Sequence, residues 1–178
     1  MPVTFANDTF TAADATHIED RSSDSGHTWV NVTGGGRYVV VGSNKAVGDG
    51  GAGATLLYYL NATPASADYA VEADLTIAAS SAHGISGRMT ADGLAMYLIR
   101  YSQATNAWNL LSYTAGTPST VATYSDTIAI GATVNIRMQM DGTAIRVYRD
   151  NELIISTTSS AVSAAGFAGL RTSADANV

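Results

Sequence analysis

Cysteine is absent from this chain, so neither disulfide bridges nor thiolate metal sites can form. Lysine occurs once, at Lys45, and the nine basic residues face fifteen acidic ones, for a formal charge of −6. Nucleic acid is bound through clustered cations that displace condensed counterions, and scattered ones supply no such patch, so no nucleic-acid partner is expected. Proline is confined to three positions and charged residues to 13% of the chain. No apolar run approaches the roughly 20 residues a membrane-spanning helix requires, so no membrane partner is expected either. Met1 to Phe10 lacks the basic start and apolar centre of an export signal. A sustained 3.6-residue period is also missing, which removes long helices from consideration.

What the chain does have is period two. Val134, Ile136, Met138 and Met140 alternate with Asn135, Arg137, Gln139 and Asp141, and after Asp141-Gly142 the residues Ile145 and Val147 alternate with Ala144, Arg146 and Tyr148. Asp-Gly between two such runs marks a hairpin, because the tight turn needs positive φ, which glycine adopts freely. Asp150-Asn151 turns the chain again into Leu153-Ile154-Ile155, so Thr133 to Ile155 forms a three-strand meander. Tyr69 to Ile77 alternates as a half-buried strand. Further strands are expected at Trp29–Val32, Arg37–Val41, Thr55–Leu60, Gly84–Met89, Leu94–Tyr101, Trp108–Tyr113 and Val121–Tyr124. Thr11–Gly26 and the Gly-rich Gly48–Gly53 are expected as loops.

About a dozen short strands separated by turns imply two packed antiparallel sheets, with a closed barrel as the alternative. The 178 residues suit one domain, 1–178, an all-β jelly-roll sandwich. Its expected core is Val134, Ile136, Met138, Ile145, Val147, Leu75, Ile77, Tyr97 and Phe167.

Several segments carry a resemblance: Asp8-Thr9-Phe10, Asp24-Ser25-Gly26-His27-Thr28-Trp29, the strand Asp68 to Leu75, the Asp141-Gly142 hairpin with Arg146 to Asp150, and Ala165 to Leu170. Together they resemble the concanavalin A-like lectin/glucanase (LamG-like) jelly-roll superfamily. The stretch from Phe10 to Trp29 is also similar to small virion proteins of tailed phages infecting actinobacteria, minor tail or capsid-decorating modules. In that family a final strand follows the Gly-Leu segment and pairs with the N-terminal one. Here it is expected to be short or absent, its edge completed by another subunit.

The superfamily's glycoside hydrolases carry a Glu-x-Asp-x-(x)-Glu strand, and hydrolysis needs two carboxylates flanking the bond. Glu72 and Asp74 match the first two positions, while Thr76 and Ile77 occupy the third. The expected role of these acids is therefore solvation on a polar strand face, and no enzyme is expected. His17, His27 and His83 lie at no ligand spacing, and Asp49 is a single carboxylate in a loop, so neither metal nor cofactor is expected. Gly84-Ile85-Ser86-Gly87 lacks the spacing of a nucleophile elbow. Asn7, Asn31 and Asn61 fit the glycosylation acceptor pattern, without the export signal that would give it meaning.

Tyr97 and Tyr101, four apart, share one face of a strand, and Trp108 stands on the next. They are the candidate glycan-binding residues, a platform for sugar rings; core or subunit packing is the other reading of the same rings. The expected function is a non-enzymatic virion structural protein, self-associating and held to major capsid or tail proteins on the particle surface after assembly in the host cytoplasm. The alternative is a carbohydrate-binding lectin-like module contacting host-surface glycans.

Overall fold

Alternating sequence becomes sheet where one face can be buried, and almost every alternating run here does so. The computed structural model describes residues 4–33, 38–41, 44–48, 55–79 and 82–173, with backbone alone at 38–41 and 173. Its strands are β1 (Trp29–Asn31), β2 (Tyr38–Val41), β3 (Lys45–Gly48), β4 (Thr55–Leu60), β5 (Tyr69–Thr76), β6 (Ala82–Met89), β7 (Met96–Ser102), β8 (Ala107–Thr114), β9 (Thr117–Ser125), β10 (Thr133–Asp141), β11 (Ala144–Arg149), β12 (Glu152–Thr158) and β13 (Phe167–Ser173). A seven-stranded antiparallel sheet runs β1-β4-β13-β6-β7-β8-β9, a four-stranded one runs β12-β11-β10-β5, and β2 pairs with β3 in a separate ribbon. Both large sheets end in edge strands, so the architecture is the open jelly-roll sandwich and not the closed barrel. Among the described residues the helical element is the 3-10 turn Ile18–Asp20.

The meander forms as its turns dictate. Asp141 pairs with Ala144 around Gly142, whose φ is +53°, and Arg149 pairs with Glu152 around Asp150 and Asn151, both at positive φ. Such turns match the strand twist, and Asp and Asn tolerate the left-handed region better than most side chains. Val134, Ile136, Met138 and Met140 of β10 and Ile145 and Val147 of β11 then share the inner face. They meet Ile85, Tyr97, Ile99, Tyr101, Trp108 and Leu110 of the larger sheet. Each large apolar side chain so buried contributes about 1.5–3 kcal/mol.

Some expectations are corrected. Phe167 has the parity opposite to the inward Leu170 and stacks on Tyr59, ring centroids 4.3 Å apart, in a cluster separate from the main core. Lys45–Gly48 is a strand, because pairing with Tyr38–Val41 supplies hydrogen bonds its composition does not advertise. The segment Thr11–Gly26 is more than surface loop: Ile18 is fully buried, and Phe10 stacks on Trp29. The Asp8 carboxylate gathers this arm by accepting from Trp29 Nε1 at 2.6 Å, the Phe10 amide at 2.9 Å and the Arg21 guanidinium. The expected loop from 49 to 53, Asp49 within it, and the chain end at 174–178 lie outside the described residues.

The two sheets are tied at one end by Arg88. A bulge in β6 puts Arg88 at φ +50° and turns its side chain inward, 2% exposed. Its guanidinium donates to the carbonyls of Ala67, Val162 and Gly142, each at 2.9 Å, and to Asp68 Oδ1 at 3.3 Å. The Arg88 amide donates to the Tyr69 hydroxyl, which itself donates to the Gly166 carbonyl at 2.9 Å. Burial pushes the Tyr69 phenol up to about 12, against the opposing pull of the Arg88 amide and charge. Because the folded value exceeds the ordinary 10.0, the protonated phenol stabilises the fold fully below pH 10, and that contribution is lost as pH rises towards 12. Denaturation at stepped pH should show the stability gap between wild type and Tyr69→Phe narrowing across this window.

Candidate functional site

The rings singled out in the sequence lie in the core. Tyr97, Tyr101 and Trp108 are each 0% exposed. The Tyr97 hydroxyl donates to Ser159 and accepts from the Val162 amide at 3.1 Å. The Tyr101 hydroxyl donates to the Asp126 carbonyl at 3.0 Å and accepts from the Ile128 amide at 3.1 Å. Trp108 Nε1 donates to Asp126 Oδ2 at 3.1 Å, and Asp126 also pairs with Arg149 at 2.8 Å. Sharing a face was the right inference for Tyr97 and Tyr101, but that face meets the other sheet. A sugar-stacking platform is therefore corrected to core packing that anchors the loops around Asp126 and Ser159.

Glu72 and Asp74 stand exposed on the outer face of the four-stranded sheet, Glu72 opposite Arg137 in register and Asp74 accepting from Asn135 Nδ2 at 2.9 Å. His17 lies 3.4 Å from Asp20, and His83 Nδ1 lies 2.8 Å from Thr172 Oγ1, so the described histidines do not converge.

A cleft of about 770 Å³ opens between β5, the N-terminal arm and the ribbon, lined in part by Trp29, Lys45, His83 and Leu170. Its size suits a ligand. Its polar groups, however, are engaged within the fold: Lys45 Nζ with Thr76 Oγ1 at 2.9 Å, Trp29 with Asp8, His83 with Thr172.

The outer face of the seven-stranded sheet is different. Register places Leu57, Arg171, Gly84, Arg100, Asn109 and Thr123 side by side across five neighbouring strand pairs, all with the parity opposite to the inward Leu170, Ile85, Ile99 and Leu110. Gly84 allows no side chain, since a Cβ there would lie 2.2 Å from the Ile99 carbonyl. Gly84 itself is buried between Arg171 and Arg100, the space of its missing side chain taken by β7 at Ile99 and Arg100. Asn109 holds Thr123 Oγ1 at 3.3 Å. Arg100 has a buried Nε without a hydrogen-bond partner among the described residues. Toward the other end of the same face lie the half-buried rings Tyr113 and Phe167, packed on Tyr59, Met89 and Met96. The turn at Gly93 closes over Val32 and Leu57 there.

Sequence reasoning passed over Arg100, Asn109 and Arg171. The signal was present: Arg100 is the sole charged residue between Asp92 and Asp126. A cation isolated in an apolar, β-forming stretch asks for a reason that surface solvation does not supply.

No family model and no curated protein matches the chain. Among solved structures, the carbohydrate binding module CBM66 from Bacillus subtilis is similar over 80% of this chain and 86% of its own, at 20% identity and TM-score 0.71. A protein of unknown function with galectin-like fold from Bacillus subtilis matches over 92% and 90%, at 10% identity and TM-score 0.61. A Bacillus licheniformis β-glucanase matches over 88% and 70%, at 15% identity and TM-score 0.52. These likenesses fix the fold as the concanavalin A-like jelly roll. They show the fold alone, and nothing in them bears on the virion-surface expectation.

Trp108→Ala should cost about 3–5 kcal/mol of stability, as for a large buried ring, read as a shifted denaturant midpoint.

Proposed function

We propose that this chain is a non-catalytic carbohydrate-binding domain whose saccharide lies across the outer face of the seven-stranded sheet, against Arg100 and Asn109. The observation that carries this reading is the half-buried Arg100, whose Nε finds no hydrogen-bond acceptor among the described residues, beside the Asn109 amide in register on the next strand. Sugars present hydroxyl pairs that planar donors such as guanidinium and amide can engage two at a time, and C–H faces that rest on rings. Tyr113 and Phe167 lie further along the same face, where a longer oligosaccharide would reach them. The fold of a carbohydrate binding module agrees with this use. Glu72 and Asp74 belong to the other sheet and play no part in it.

A glycan array followed by calorimetry tests the reading. Wild type should bind at least one oligosaccharide, and Arg100→Ala should weaken that binding roughly tenfold or more, the loss of a charged hydrogen bond, with its melting temperature unchanged. Absence of any saccharide ligand, or a ligand indifferent to Arg100, would overturn it.

A further inference from the structure

The four-stranded sheet ends at β5, and the main chain of that strand borders the cleft beside it. Every residue from 70 to 76 lines the space, with Leu170 of β13 and the arm from Phe5 to Phe10 on its other walls. Ile77 donates its amide to the Ala132 carbonyl at 2.9 Å and accepts from the Gly131 amide at 2.7 Å, so both of its main-chain groups point toward the β10 side. Direction alternates along an extended strand, which turns Leu75, Ala73 and Val71 toward β10 as well, and Thr76, Asp74, Glu72 and Ala70 toward the cleft. Asn135, the partner of Asp74 in register, agrees: its amide and its carbonyl both bond to Asp150, each at 2.9 Å, on the β11 side. Among the described residues no hydrogen bond takes up the main-chain groups of β5 on the cleft side.

The inner face is unfinished along the same line. Ile136 and Met138 of β10 are 0% exposed, whereas Val71, Ala73 and Leu75 on β5 are half-buried, as is Leu170. On the outer side of the edge stand two exposed carboxylates, Glu72 and Asp74. Arg137, opposite Glu72, lies over the Tyr148 ring of β11, 4.3 Å from its centroid, and Asp74 accepts from the neutral Asn135 amide. Neither acid has an ion-pair partner among the described residues. A second copy does not suit this edge. Two β5 strands paired antiparallel about Ala73 would set Glu72 of each against Asp74 of the other, and like charges directly opposite destabilise a strand pair. The other edge strands of the two sheets, β1, β9 and β12, contain no Lys or Arg to answer the acids.

We infer that β5 is a docking edge for an extended segment of another protein, added as a fifth strand of the smaller sheet. Its apolar residues face inward over Leu170, and its basic residues face outward beside Glu72 and Asp74. Main-chain hydrogen bonds to residues 70, 72, 74 and 76 supply the affinity, and the alternating side chains supply the specificity. At the Thr76 end, where Lys45 Nζ donates to Thr76 Oγ1, the segment is polar and uncharged. This edge belongs to the sheet opposite the proposed saccharide face, so the two surfaces are independent.

The capped peptide Thr-Val-Lys-Val-Lys-Val-Thr, which reads the same in both directions, is the probe, with Thr-Val-Glu-Val-Glu-Val-Thr as control. In the peptide-free protein, hydrogen exchange followed by NMR should be fast at the Glu72, Asp74 and Thr76 amides and slow at Val71, Ala73 and Leu75. Slow exchange at the first set would overturn the inference, since the edge would then be covered by the chain's own residues or by a second copy. Calorimetry should show the lysine probe binding at least roughly tenfold tighter than the control, and the bound probe should slow the edge amides. Glu72→Pro removes an N–H that serves no bond to β10, so it should abolish binding while the fold is kept. Glu72→Gln combined with Asp74→Asn tests the same edge should the proline variant not fold: it should erase the preference for the lysine probe at unchanged melting temperature. Equal binding of both probes, binding that leaves the edge amides exchanging freely, or no binding at all would each sink the inference.

Discussion

The sandwich depends on one buried guanidinium. Arg88 reaches from a bulge in the seven-stranded sheet to carbonyls on both sides of the opposing one, the segment before β5, the turn of the β10–β11 hairpin and the loop before β13. Asp68 closes the arrangement by accepting from the Gly142 amide at 2.8 Å as well as from Arg88. The carbonyls at these chain reversals have no strand partner there, and a buried polar group without one is costly. One planar donor set answers several of them together. The same group that holds the sheets in register also holds the hairpin turn from which the central meander grows, so local turn geometry and sheet packing are coupled at this point.

With the sheets so fixed, the inner faces are filled by aliphatic residues, methionines and the rings of Tyr97, Tyr101 and Trp108, whose polar atoms all find partners in the crossover loops. Those rings are a structural resource: they let large apolar bodies sit in the core while pinning the loops that connect the sheets. The outer face of the larger sheet carries Arg100 and Asn109 in register on β7 and β8. Strands without an acid and an Arg100 Nε with no acceptor among the described residues are a combination that solvation alone does not call for. They become coherent when a ligand supplies the missing acceptor.

Much of this was legible in the residues. The alternation in Thr133–Asp141 and Tyr69–Thr76 identified half-buried strands, and Asp141-Gly142 and Asp150-Asn151 marked reversals whose left-handed backbone the structure contains. Glu72 and Asp74 could be placed on the polar side of β5 because their apolar neighbours claimed the other. The ribbon strand Lys45–Gly48 was not legible, since its hydrogen bonds come from a partner strand and not from its own composition.

Sequence by itself determined the strand menu, the turns and which residues share a face, because side chains alternate strictly along an extended backbone and that periodicity is local. It could not decide whether a given face of a central strand turns toward the other sheet or away from it when both faces are apolar, as in β7, where Tyr97, Ile99 and Tyr101 went inward and Leu98 and Arg100 outward. That choice belongs to the tertiary structure. It follows from which sheet comes to lie opposite, and with it went the site: the rings to the core, the lone arginine to the surface.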